Sequence, residues 1–429
     1  MKINIIQVMD GVFGINKPPG ITSANFLNRI NEIFTKADVF QESLEAMKQS
    51  FGERKRQKWG RRSQKVKMGH GGTLDPLAYG VLVVGIGKGT KSLQNYTTNA
   101  EKLYETVALL GGSTTTGDSE GELLKRSECD HVTQEMVDKT LPKFIGNILQ
   151  TPPIFSALKM NGKPLYEYAR KGLPLPREIK ARPIEVYNLT SFDDTLSTSH
   201  NWKFLKSATD ETDGVTLVEK LSKNPTLDDH ALTYSEQYVE KAKTDSSLDA
   251  SPYPEPELKD SSKFDDETFR APILHLDITC SSGTYVRSLV SDFGRSLGSS
   301  AYMVDLKRKK QAEWISDENC FSIEDFQLPE EIWAPVLKKV ITSPGGTVNV
   351  KTELLLSQQE YEKKHPKLDD SDEGVVEKKR KIEQSEDNKD ISEVVTEVAT
   401  EEISAEKAND SKTSEITDDN AEVNDSKTF

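Results

Sequence analysis

At 429 residues the chain is longer than one compact core usually organises, and 35% hydrophobic against 29% charged residues is too lean for packing along its whole length. The formal net charge is −14, no run of about 18 apolar residues occurs, and three cysteines stand far apart; together these exclude a membrane-spanning helix and a disulfide framework. A reduced, intracellular protein is expected, and six histidines that never fall at ligand spacing give no metal site.

Charge is spread unevenly. Pro366 to Phe429 holds 20 acids and 9 bases, and Ser191 to Arg270 holds 18 acids and 9 bases, leaving +6 for the rest of the chain up to His365. The first of these stretches reads as a disordered tail and the second as a partly disordered insertion, around a basic core. The N-terminus, MKINIIQVMDG, shows neither a secretory nor a transit pattern.

In chain order, VFGINKPPGITS predicts a strand over Val12–Ile15, a turn forced by Lys17-Pro18-Pro19-Gly20, and a helix capped by Thr22 or Ser23 and running through Ile30. FGERKRQKWGRRSQKVKMGH, Phe51 to His70, carries eight Lys or Arg against one Glu, with Trp59 among them; this is either a nucleic-acid contact or a solvated loop. It leads into HGGTLDPLAYGVLVVGIG, in which Asp75 is the one acid among glycines and apolar residues, on a loop before a short buried strand at Val81–Val84. A carboxylate so placed is either a turn-capping Asp or a reacting group on a rigid scaffold. The glycines that follow fit neither a Walker loop, since Leu82 stands where its first Gly belongs, nor a dinucleotide fingerprint, since Thr90 replaces the third Gly.

KLYETVALLGGSTTTGDSEGE alternates as a strand, with Tyr104, Thr106, Ala108 and Leu110 on one face, and then becomes a loop containing Asp118. ILQTPPIFSALKMNGKPLYEYARKG predicts an extended Pro-Pro segment, a turn at Asn161-Gly162, and a helix from Pro164 to about Lys171. In HLDITCSSGTYVRSLVSDFGRSLG a strand gives way to a helix near Thr284, with an apolar stripe through Tyr285, Leu289 and Phe293. Arg287 lies in that helix's first turn, where the dipole disfavours a cation, so either an anion faces it or it is simply exposed.

These blocks together resemble the TruB family of pseudouridine synthases. GHGGTLDPLAYGVL is similar to the family's catalytic motif, and NKPPGITS, KLYETVALLGGSTTTGD, TPPIFSALKMNGKPLYEYARKG and CSSGTYVRSLVSDFG are similar to its other blocks, in the family's order. The resemblance implies an α+β pseudouridine synthase fold, with a central mixed, mostly antiparallel sheet flanked by helices and loops. It implies isomerisation of uridine to pseudouridine, at T-loop position 55 of tRNA, with mRNA hairpins imitating the T-arm as further substrates. No cofactor and no metal are implied.

By the same resemblance Asp75 is the nucleophile and Arg287 its partner. Tyr104 stacks on the base and is a candidate for proton transfer, although a phenol near pH 10 is a poor base at pH 7. Tyr285 packs the other side of the uracil, and His70 takes the space of the flipped base. Lys17, Lys102 and Leu306 join the substrate contacts, while Lys307 to Lys310 and the Phe51–His70 run hold phosphates.

The implied division is a catalytic domain in two parts, 1–190 and 271–345, split by the acidic insertion 191–270 and followed by an acidic disordered tail, 346–429. In LKRKKQAEW the family's Gly-x-Phe ending is Ala312-Glu313-Trp314, which leaves the strand register open. No PUA-like module is read after about Val340, which favours a stand-alone, monomeric tRNA enzyme over the catalytic subunit of an RNA-guided, dyskerin-type particle; a non-catalytic tRNA-folding protein is the third reading. KKRK, Lys378 to Lys381, points to the nucleus, with cytoplasm and, from the family, mitochondrion as further compartments.

Overall fold

The computed structural model describes residues 9–49, 65–206 and 217–366. Most of the basic run (Phe51 to Gln64), the KKRK stretch and the tail beyond Pro366 lie outside the described residues.

A ten-stranded mixed sheet forms the centre. Its main path runs through β14 (Cys320–Phe321), β1 (Gly11–Lys17), β3 (Tyr79–Ile86), β12 (Ala301–Gln311), β4 (Lys102–Leu110), β11 (Ile273–Cys280), β10 (Arg182–Ser191) and β7 (Gly146–Gln150). β2 (Met68–His70) adds to β3, and β13 (Trp314–Ile315) folds back on β12. Pairing is antiparallel except between β1 and β14 and between β3 and β12. The fold is therefore α+β with a mixed, mostly antiparallel sheet. The register after β12 resolves at Ala312, whose φ of 51° turns the chain so that Gln311 pairs with Trp314.

Two apolar cores flank this sheet. In one, α1 (Ser23–Lys36) and α9 (Glu330–Thr342) cover β1 and β3, with Phe34 stacked on Trp333 at 5.6 Å and Phe13 edge-on to Phe321 at 5.9 Å. Thr22 caps α1, its Oγ1 accepting from Asn25 N at 3.1 Å. The helix continues past the expected Ile30 because Phe34 supplies one more apolar turn. In the other core, α8 (Val286–Ser296) lays Leu289, Val290 and Phe293 against β4, β11 and β12. Small hairpins β5–β6 (Gly112–Thr114, Leu123–Arg126) and β8–β9 (Lys159–Met160, Lys163–Pro164) complete the strands. The second turns at Asn161 and Gly162, φ 51° and 81°, as the Asn-Gly pair predicts.

One expectation is corrected here, the disordered tail from residue 346. The described part of 191–270, expected to be partly disordered, is packed, and 207–216 lie outside the described residues. Phe204 stands 4.6 Å from Phe264 and 5.7 Å from Tyr302, Tyr234 bonds Ser296 at 2.8 Å, and the helices α6 (Leu217–Leu221) and α7 (Glu236–Thr244) lie within it. Its apolar residues are buried singly and far apart, so no periodicity announces them. The tail, in turn, begins with a helix, α10 (Val350–Lys364), which buries Val350 and Leu354 beside α9 and ties Ser357 Oγ to Ile332 O at 2.8 Å. Its few apolar contacts were outweighed by the acidic composition of the longer window. Among the described residues no helix is long and apolar enough to cross a membrane, and all three cysteines are free and buried.

Candidate active site

The loop between β2 and β3 carries Asp75, and the first block of the sequence holds that loop in place. Ser23 Oγ accepts from Leu74 N at 2.9 Å and donates to Leu74 O at 2.8 Å, while Gly20 N donates to Pro76 O at 2.8 Å. Lys17 directs its ammonium to Ile21 O, Pro18 O and Pro76 O at 2.6, 2.8 and 3.3 Å. Expected among the substrate contacts, Lys17 is fully buried and braces the Asp75 loop from behind, and burial pulls its pKa down to about 8.

Arg287 closes on Asp75 from the start of α8. Its Nε lies 2.9 Å from Asp75 Oδ2, the pairing that the family resemblance implied, and 3.5 Å from Asp118 Oδ2. Nη1 donates to Thr116 O at 2.6 Å and Nη2 to Phe155 O at 2.9 Å, so the planar fork is held on every side. At 4% exposure the cation is buried, and two carboxylates offset its unfavourable place near a helix N-terminus. Asp75 keeps 36% of its side chain exposed, which leaves it reachable from solvent.

Asp118, read from sequence only as part of a loop, belongs to this cluster. Its Oδ1 accepts from Thr116 Oγ1 at 2.5 Å and Glu120 N at 3.1 Å. Burial holds its carboxyl above the ordinary range, with Arg287 opposing and Asp75 adding to that shift.

Tyr104 and Tyr285 complete the surroundings of Asp75, whose charge acts on both phenols. Tyr104, on β4, is 5% exposed and burial pushes its phenol above its ordinary value; Tyr285 is half-buried and shifted the same way for the same reason. Tyr285 sits at the N-cap of α8, where Gln150 accepts from its N–H at 2.8 Å and donates to its C=O at 3.0 Å.

The other expected contacts divide. His70 is half-buried on β2, its Nδ1 without a hydrogen-bond partner, and burial and Arg308 lower its pKa. Lys102 donates to Ser282 Oγ at 2.7 Å and Ala100 O at 3.3 Å, with its pKa pulled down to about 8 by burial. Leu306 is 5% exposed and belongs to the same apolar core as Leu74.

Of the Lys307–Lys310 run, expected to hold phosphates, only Arg308 is shut away from solvent; the three lysines are partly exposed in ion pairs. Lys307 pairs with Asp317 at 3.2 Å, Lys309 with Asp277 at 3.2 Å and Glu105 at 3.4 Å, and Lys310 with Glu101 at 3.7 Å. Arg308 points inward, 3% exposed. Its Nε donates to Tyr104 Oη at 3.0 Å, Nη2 to Thr73 O at 2.9 Å, and Nη1 to Val81 O at 3.2 Å and Gln311 Oε1 at 3.1 Å. Its guanidinium stands 5.3 Å from the Tyr104 ring. Strand alternation was the available signal, because Arg308 follows the buried Leu306 at i+2, and the run of bases hid it.

Arg308→Lys is expected to keep the charge but lose the fork that joins Thr73 O to Tyr104, which shifts the Asp75 loop. Turnover should fall about 10–100-fold in single-turnover assays, with RNA affinity little changed. Near-normal turnover would leave Arg308 a packing residue only.

Comparison with known proteins shows the family of the chain. Residues 58–207 match the TruB family pseudouridylate synthase (N terminal domain). Over 366 residues the chain is 43% identical to tRNA pseudouridine synthase 4 of Saccharomyces cerevisiae, covering 82% of this chain and 89% of that protein. The chain belongs to the TruB family. Within that family it is also 36% identical to tRNA pseudouridine synthase 4 of Schizosaccharomyces pombe, covering 76% of this chain and 84% of the relative. To pseudouridylate synthase TRUB1 of Homo sapiens it is 31% identical, over 76% of this chain and 65% of that protein. Among solved structures it is similar to a chain of a Cbf5–Nop10–Gar1 complex, at 19% identity and a TM-score of 0.40, covering 77% of this chain and 56% of that one. The TruB-type chain here thus spans little more than half of that solved chain.

Proposed function

We propose that this TruB-family chain is a tRNA pseudouridine synthase that isomerises the T-loop uridine at position 55, with Asp75 as its nucleophile. The observation that carries this reading is the Asp75–Arg287 pair, a solvent-reachable carboxylate held at 2.9 Å by a buried guanidinium and bordered by Tyr104 and Tyr285. The relatives' names support the tRNA substrate.

In the reaction the bond from C1′ to N1 breaks, the uracil turns, C1′ bonds to C5, the C5 proton leaves to solvent and N1 takes up one proton, so atoms balance without a cofactor. Reaching the target requires turning it out of the T-loop stack, which costs a few kcal/mol. Half-buried His70 and Tyr285 are the residues that would fill and line the opened space. Tyr104, raised by burial, stays protonated at neutral pH and already accepts from Arg308, so it is unsuited to taking the C5 proton in its resting state. mRNA hairpins of T-arm shape are second substrates on the same reading, because RNA is recognised here by shape.

The test is tritium release from a T-arm hairpin labelled at uridine C5. The purified chain alone is expected to release the label from position 55. Binding without release would sink the reading, and release only after a guide RNA is added would favour the RNA-guided alternative.

A further inference from the structure

The fork of Arg287 is oriented by carbonyls from two separate loops. Thr116 O belongs to the loop between β5 and β6, and Phe155 O to the segment that leads from β7 into β8. One stretch of the acidic insertion braces both loops. On the Phe155 side, Leu221 is 2% exposed in a small core with Ile154, Met160 and Leu165, against which Phe155 itself packs. Asn224 then holds the backbone of residues 173–175, its Oδ1 accepting from Leu175 N at 3.0 Å and its Nδ2 donating to Leu173 O at 2.9 Å, and Leu175 packs against the same small core as Phe155, so this hold reaches the Phe155 loop through that core.

On the Thr116 side, Leu227 Cδ1 lies 2.5 Å from where a β-carbon on Gly117 would stand, and Arg287 Cβ lies 3.4 Å from the same point. Gly117, at φ +80°, adopts a left-handed conformation open to glycine and leaves room for that approach. Val218 N donates to Glu122 Oε2 at 3.0 Å, fastening the far end of the same loop.

We propose that Leu227 and Asn224 are positioning residues for the reaction, Leu227 packed directly on the Thr116 loop and Asn224 steadying the Phe155 loop through the small core that Leu175 and Phe155 share, so that the two carbonyls aim Arg287 at Asp75. Neither side chain reaches Asp75; each acts through Arg287. A shift of about 1 Å in either carbonyl would turn the fork, and displacements of that size cost up to about 10²-fold in rate. This inference rests on the functional reading above.

The test compares the full chain as wild type, Asn224→Ala, Leu227→Ala and Leu227→Met, in single-turnover tritium release and in RNA affinity. Both Ala variants are expected to lose about tenfold or more in rate at saturating RNA, with RNA affinity within about twofold of wild type, and Leu227→Met to recover most of the rate. In an Arg287→Lys background Leu227→Ala should add little, since the group it positions is already displaced. Rates within about twofold of wild type in both Ala variants, or a loss carried entirely by RNA affinity, overturn the positioning role. Should Leu227→Ala fail to fold, Asn224→Ala decides the matter by the same criteria. A wild-type chain that releases no tritium overturns the functional reading, whereas an active wild type with indifferent Ala variants removes only the role of the insertion.

Discussion

Asp75→Asn is expected to abolish tritium release, lowering turnover by about four orders of magnitude or more, while RNA binding stays near the wild-type level. The amide is nearly isosteric with the carboxylate, so its oxygen can still accept from Arg287 Nε, and the loop keeps the hold of Ser23 and Lys17. What the variant loses is the nucleophilic oxygen. The change leaves the cores untouched but takes one of two carboxylates from the buried Arg287, so a urea melt should show a modest loss of stability, smaller than a full unpairing would give because Asp118 still faces the cation. A variant that kept near-normal release would remove Asp75 from the chemistry. One that lost release and RNA binding together would make it a structural residue of the loop.

Some of this site was legible in the sequence because each local feature pointed the same way. The alternation around Tyr104 and the stripe on α8 showed the strand and helix, and the cation in the first turn of α8 left open an anion or plain exposure; the structure places Asp75 there, 212 positions earlier in the chain. Other parts required tertiary information. Arg308 was read with its neighbours as surface charge, yet Tyr104 Oη and three backbone carbonyls of the loop and β3 surround it, an environment that no composition count reveals. Lys17 looked like a substrate contact, but the carbonyls that satisfy it come from the turn just after it and from Pro76, 59 positions further along the chain. Asp118 looked like turn chemistry because its partner Arg287 lies far along the chain.

The acidic insertion misled for a different reason. Its average charge suggested a segment that cannot bury enough apolar surface, but Phe204, Leu221, Leu227, Tyr234 and Phe264 each enter a core that other elements have already built. Only a segment that had to make its own core would need periodic apolar residues.

Arg287→Met and Arg287→Lys should separate the two jobs of this cation. Removing one partner of a buried ion pair leaves the other uncompensated, at a cost of about 3–5 kcal/mol, so the Met variant is expected to be strongly destabilised in urea melts. Its instability should depend on pH through Asp118, whose carboxyl burial already raises above the ordinary range and whose main opposing influence is Arg287. Without that cation the folded Asp118 holds its proton further above the unfolded value of about 3.9. Between those two values the folded state binds a proton that the unfolded chain has released, so stability falls as pH rises and is recovered below about pH 4. The wild-type slope in that window should be shallower. Arg287→Lys keeps a charge and much of the stability, but a single ammonium cannot face Asp75, Asp118, Thr116 O and Phe155 O together. Its turnover should fall about 10²-fold at saturating RNA. A Lys variant as active as wild type would show that the charge at this position suffices, and that the geometry of the fork, with the loops that aim it, does not limit the reaction.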